Sequence, residues 1–140
     1  MWLRERTDRQ PTGLRLDGIA ILLVDDDTDT LTAVENVLRY HGAEVIRATS
    51  TDEALALLAE RAPTVIVADL SMPDCDGLDL IRRVRGLSSP HGNLPAAVLS
   101  AHAASDREST ASAAGFQVYI EKPVRPEVFV NQIAALAGLH

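Results

Sequence analysis

Thr64-Val65-Ile66-Val67-Ala68-Asp69-Leu70 is the stretch that decides the fold. Its run from 65 to 68 is apolar at every position, so the strand it forms must be covered on both faces. Pro63 closes the helical pattern before it, and the run stops at an acid. A strand covered on both faces belongs in a parallel sheet held between helices.

Working outward, the same alternation recurs. Residues 19–24 form a continuous apolar run that ends in Asp25-Asp26-Asp27. Residues 30–40 place Leu31, Val34, Val37 and Leu38 on one helical face, and Gly42 stops that helix. Residues 44–48 read as a short strand. Ser50-Thr51-Asp52-Glu53 fits a capping box, opening a helix with Ala54, Leu57 and Leu58 inward. After the deciding strand, residues 78–85 are helical through Leu80, Ile81 and Val84, and residues 88–93 form a loop rich in Ser, Pro and Gly. Residues 96–99 form a strand ending at Ser100. Ser105-Asp106-Arg107-Glu108 reads as a second capping box, and its Ala-rich helix stops at Gly115. Residues 117–121 form a last strand. Pro126 then opens a helix lined by Val128, Phe129, Ile133 and Leu136. Five β-α units with right-handed crossovers predict a doubly wound α/β domain.

The whole chain, 140 residues long, is the size of one such domain. Residues 1–17 are polar and charge-mixed and contain Pro11 and Gly13, so they are expected to be an N-terminal tail or linker, with the domain at 18–140. A composition of 46% hydrophobic and 24% charged residues fits a globular chain. The net charge of −7 argues against nucleic-acid binding, which needs a basic patch. The single Cys75 excludes an intramolecular disulfide framework and suits a reducing compartment. No apolar run reaches the length of a membrane span and no signal peptide is legible, so a cytoplasmic location without membrane contact is expected.

In open α/β sheets ligands bind beyond the carboxyl ends of the strands. The strand ends supply Asp25-Asp26-Asp27, then Asp69, then Ser100, then Glu121-Lys122. Carboxylates crowded in a cleft repel one another unless a cation intervenes. Oxygen donors without His or Cys suit a hard cation, Mg²⁺ first. Together with Lys122, such a site suits phosphoryl transfer with Asp69 as nucleophile. Each residue also has a plain reading. Asp27 or Asp29 serves equally as the N-cap of the first helix, and Lys122 alone could be a solvated charge.

The set Val24-Asp25-Asp26-Asp27, Asp69-Leu70-Ser71-Met72-Pro73-Asp74-Cys75-Asp76-Gly77, Ser100-Ala101 and Tyr119-Ile120-Glu121-Lys122-Pro123 resembles the receiver domain of two-component response regulators. The resemblance covers nearly the whole chain from Gly18 onward. It implies a flavodoxin-like five-stranded parallel sheet of order 2-1-3-4-5. It implies that Asp69 accepts a phosphoryl group from a phosphohistidine. Mg²⁺ would be held by Asp26, Asp69 and the backbone carbonyl of Ser71, with Asp25 acting through a water. Lys122 would pair with the phosphoryl oxygens, Ser100 would be the switch hydroxyl and Tyr119 the aromatic that follows it. Implied partners are a sensor histidine kinase or phosphotransfer protein and a downstream protein target on the helix 4–strand 5–helix 5 face; a homodimer is compatible with the resemblance. Such a domain is not an enzyme in its own right, although it assists its own phosphorylation and dephosphorylation. Residues 97–124 resemble in particular receivers fused to the end of hybrid histidine kinases, in which case the full-length chain would be a kinase. The Lys122–Pro123 bond is often cis in this family.

Departures and rivals complete the reading. Ser100 stands where Thr is commoner, keeping the hydroxyl and losing the β-branch. Ser71 and His102 hold variable positions near the site, and Cys75 reads as inert. An aspartate-nucleophile phosphatase needs Asp-x-Asp-x-Thr or Val, but Asp29 follows Asp25-x-Asp27. An EF-hand needs Gly where Thr30 stands. A flavin-phosphate loop after the first strand would meet three acids. A degenerate receiver used only for docking is opposed by the intact Asp26, Asp69 and Lys122. No output domain is read after Leu139, which places the output in a partner or another part of the chain.

Overall fold

The structure, a computed structural model, describes residues 15–70, 77–88, 90–101 and 103–138, excepting the side chains of Ala104 and Asp106. The elements run β1 (Ala20–Val24), α1 (Thr28–Tyr40), β2 (Glu44–Ala48), α2 (Thr51–Arg61), β3 (Val65–Asp69) and α3 (Gly77–Arg85). A short 3-10 turn, η1 (His91–Asn93), then leads to β4 (Ala96–Ser100), α4 (Ala104–Ala114), β5 (Val118–Glu121) and α5 (Pro126–Leu136). The five strands are parallel in the order β2-β1-β3-β4-β5, the order the resemblance implies.

Period-two alternation in the strands splits the core in two. Leu22, Val24, Ile66, Ala68 and Val98 face one layer with Leu58 of α2, Leu80, Ile81 and Val84 of α3, and Ala111 of α4. Ile21, Leu23, Val65, Val67 and Leu99 face the other, with Leu31, Val34 and Leu38 of α1 and Phe129, Val130 and Ile133 of α5. The expected tail meets the described residues only at its end. There Leu16 is fully buried in the second layer, and its N–H donates to His41 O at 2.6 Å.

The helix starts divide instructively. At α2 the Ser50 side chain accepts from Glu53 N at 3.1 Å, while the Glu53 carboxylate accepts from Thr49 N at 2.8 Å. That is the expected cap, with its return bond one residue earlier than in the standard box. The second expected box is corrected. α4 begins at Ala104, with Ala103 at its N-cap and no side-chain cap bond, so Ser105 lies inside the helix. Ala104 is a strong helix former, and nothing at that position stops the helix from extending past Ser105. Val128 is a second correction. It is 44% exposed, because the buried stripe of α5 is Phe129, Val130, Ile133 and Ala134. Gly115 does end α4, at φ 130°, and Pro126 does sit in the first turn of α5.

Candidate functional site

The site forms where four strand ends meet at the carboxyl edge of the sheet. Backbone bonds fix each end. Asp25 N–H donates to Ala48 O at 3.1 Å, Leu70 N–H to Leu99 O at 2.9 Å, and Lys122 N–H to Ser100 O at 2.7 Å. These bonds carry the parallel ladder just past its last paired residues and fix the direction in which the functional side chains leave it.

Asp25, Asp26 and Asp69 each offer a carboxylate oxygen, and these atoms lie within 4.8 Å of one another. Lys122 Nζ stands 3.5 Å from Asp25 Oδ2 and 3.5 Å from Asp69 Oδ2. Asp25 is 1% exposed, Asp69 is only slightly exposed, and Lys122 is half-buried. Burial pushes the Asp25 carboxyl above its ordinary value. The Asp27 N–H that it accepts at 2.9 Å opposes the rise, the Asp69 charge adds to it, and Lys122 opposes it. Two carboxylates at 4 Å repel by about 4 kcal/mol at an effective dielectric near 20. Three acids and one ammonium therefore leave the cleft short of positive charge. The donors are all oxygen, which is the set a hard divalent cation takes.

The third consecutive acid turns away from the cleft. Asp27 is the N-cap of α1, accepting from Asp29 N at 3.1 Å and from the Thr30 hydroxyl at 2.8 Å. The Thr30 hydroxyl, followed by the Asp29 N–H, holds its carboxyl below the ordinary value. Of the two sequence readings open for Asp27, the capping one describes it.

The remaining expected residues divide. Ser100 is buried at the end of β4, one residue beyond Leu99, the register partner of Asp69. Tyr119 is not in the acid cluster. It is half-buried in β5, against the layer that holds Ala111 and Ala114 of α4. It borders a hollow of about 290 Å³ with Glu108, Ser109 and Ser112, and another of about 150 Å³ with Arg125 and Val128. Ser71, Cys75 and His102 lie outside the described residues. The Lys122–Pro123 bond is cis.

Gly77 is a site residue to which the sequence reading gave no role of its own. A Cβ there would run into Asp69 O and the backbone of Leu70, and Gly77 N–H donates to Leu70 O at 3.0 Å. The first residue of α3 thus presses against the backbone of the central acid, and only glycine fits. The available signal was a glycine at a helix start where a polar cap is usual.

A doubly wound sheet of order 2-1-3-4-5, with acids after β1 and β3 and a lysine after β5, defines the receiver class of α/β domain. Residues 21–134 match the response regulator receiver domain, and the chain belongs to that family, the signalling domain of two-component systems. It is 44% identical over 107 residues to an uncharacterized 14.6 kDa protein of Leptolyngbya boryana, covering 76% of this chain and 80% of that one. It is 35% identical over 116 residues to the transcriptional regulatory protein PrrA of Mycobacterium tuberculosis, covering 83% of this chain and 48% of that one. The chain thus spans about half the length of that regulator. Among solved structures, a CheY-like receiver domain protein from Methanospirillum hungatei superposes with a TM-score of 0.76 at 27% identity, covering 89% of this chain and 94% of that one. No helix among the described residues is long and apolar enough to cross a membrane.

Proposed function

We propose that this receiver takes a phosphoryl group onto Asp69 from the phosphohistidine of a sensor kinase or phosphotransfer protein, and that the modified aspartate changes a partner-binding surface. In the transfer an Asp69 carboxylate oxygen attacks phosphorus. The O–P bond forms as the N–P bond breaks, and the electron pair returns to the imidazole. Lys122 offsets the negative charge of the incoming oxygens from its place beside Asp69 Oδ2, and costs little reorganisation because it is already there. Asp26 and Asp69 would hold Mg²⁺ directly and Asp25 would do so through a water; Ser71 joins them through the family motif. The oxygen-only donor set fits that ion. When bound, it supplies the positive charge the three acids lack and a place for phosphoryl oxygens.

The observation that carries this reading is one lysine ammonium 3.5 Å from two of three clustered carboxylates. Ser100, at the adjoining strand end, is the hydroxyl positioned to respond, and Tyr119 would pass the change to the α4–β5–α5 face. That face is the proposed site for a downstream protein. The domain proper would run over 18–140, with Leu16 just ahead of that boundary packed into its second core layer. A cytoplasmic setting and a parent hybrid kinase belong to the same proposal, the latter resting on the resemblance of residues 97–124.

The test is labelling by acetyl phosphate with Mg²⁺, read by intact mass. The protein gains one phosphoryl group and Asp69→Asn gains none. Equal labelling of the variant would place the acceptor elsewhere.

A further inference from the structure

The amino edge of the sheet holds a second polar centre that phosphoryl chemistry does not use. Arg85, the last residue of α3, spreads its guanidinium over the ends of several elements. Nε and Nη2 donate to Gly115 O at 3.0 and 2.7 Å, and Nη1 donates to Gly92 O at 3.0 Å and Leu94 O at 2.7 Å. Nη2 also reaches Gln117 Oε1 at 3.2 Å, an oxygen that accepts from Ala96 N at 2.7 Å. The C-cap of α4, the 3-10 turn, the start of β4 and the approach to β5 are thereby tied to one side chain. Gly115 is required for the fit, since a Cβ there would stand 2.8 Å from Arg85 Cγ. Burial lowers the Arg85 pKa from its usual value, although its contacts are with neutral oxygens.

The other end of α4 is held differently. Its N-cap is Ala103, without a side-chain bond. Among its described side chains, Ser105, Glu108, Ser109 and Thr110 are exposed, and only Ala111 and Ala114 are buried. The last turn also closes on itself, with Phe116 N–H donating to Ala111 O at 3.1 Å. In a parallel sheet the N-terminus of α4 lies at the carboxyl edge, beside Ser100, and its C-terminus lies at the amino edge. Among the described residues, the helix is therefore anchored far from the acid cluster, and no described side chain of its first two turns is buried.

Building on the receiver reading above, we infer that Arg85 is the fixed pivot of α4, so that a change at Asp69 and Ser100 moves the N-terminal half of the helix about an anchored C-terminal turn. Arg85 is a positioning residue in this scheme and touches no reacting atom. Lysine cannot replace it, because a single ammonium cannot serve the separated oxygens of Gly92, Leu94 and Gly115 with a planar fork.

The test is residue-resolved amide hydrogen exchange on the intact chain, first without any phosphoryl donor. Amides at 112–116 should exchange about tenfold more slowly than those at 108–110, because the two stretches open in separate local events. Arg85→Lys should erase that gradient while α1 and α5 keep their rates. Gln117→Leu, which spares the Gly115 contacts, should reduce it only in part. A flat gradient in the parent protein overturns the pivot. So does an Arg85→Lys variant that keeps the gradient, or that loosens α1 and α5 equally. A second arm adds acetyl phosphate and Mg²⁺. Exchange should then change at 105–110 and not at 112–116, and an equal response at both overturns the pivot. If the protein takes no label, the phosphoacceptor reading falls, and the resting gradient alone still decides whether Arg85 anchors the helix.

Discussion

At the carboxyl edge of the sheet three carboxylates face one ammonium; at the amino edge one guanidinium faces only neutral oxygens. Both centres are partly buried and both draw on several strands and loops. They differ in completeness. All five N–H donors of Arg85 have an acceptor, so that centre needs nothing from solution. The acid cleft has surplus charge of one sign, which a cation placed there would offset. Removing charge should therefore have opposite effects at the two edges.

The largest effect is expected at the amino edge. Arg85→Met strands the carbonyls of Gly92, Leu94 and Gly115 and should cost about 3 kcal/mol of stability, a figure reduced by the access water has to a half-buried site. Urea unfolding would show a lower midpoint at unchanged slope, by the same amount with and without Mg²⁺. A loss that Mg²⁺ restores would mean that the two edges are not separate.

At the carboxyl edge the sign reverses. The folded pKa of Asp25 lies above the ordinary value of 3.8, chiefly because the carboxyl is buried. The folded state thus binds the proton more tightly than the unfolded chain. Stability from this group is greatest at low pH and is lost as pH rises through the folded value. Asp25→Asn keeps an acceptor for Asp27 N–H and has no such loss. Without divalent cations it should be more stable at pH 7 by on the order of 1 kcal/mol, or ~3 °C in Tm. The gain should shrink as pH is lowered. A variant less stable than the parent at neutral pH would refute this sign.

The smallest effect separates Asp27 from its two neighbours. Its folded pKa is lowered, so its contribution is present above the ordinary carboxylate range and lost as pH falls through the folded value. Asp27→Asn keeps the α1 cap and gives up only the charge. Its Tm should sit slightly below that of the parent at neutral pH and converge with it in acid. Its Mg²⁺ affinity should be unchanged, as measured by calorimetry.

The two edges were unequally legible in the sequence. Asp25, Asp26 and Asp69 stand at the ends of continuous apolar strands and Lys122 follows the more mixed strand at 117–121, so the rule that strand ends meet at one edge was enough to bring them together. The core came through because both strand periodicity and the stripes of α1 and α3 are strong. Arg85 carried no such mark, since most of its acceptors are backbone carbonyls, which every residue has and no motif announces. The start of α4 was misread for a related reason: Ser105-x-x-Glu108 is a real capping pattern, but a local pattern does not bind when an alanine ahead of it can extend the helix. Val128 shows the limit of helical face counting at a helix end, where one position more or less moves the stripe by about 100°.

Leu16 is seated beneath the end of α1, next to His41, at the amino edge of the sheet. Chain reaching the domain from its front therefore arrives on the side away from the acid cleft, about 17 Å distant along a five-residue strand. A reporter dye or surface tether attached at the exposed Arg15 would leave the approach to Asp69 open. The molecule can be held by one rim while the acid cleft at the opposite rim stays clear.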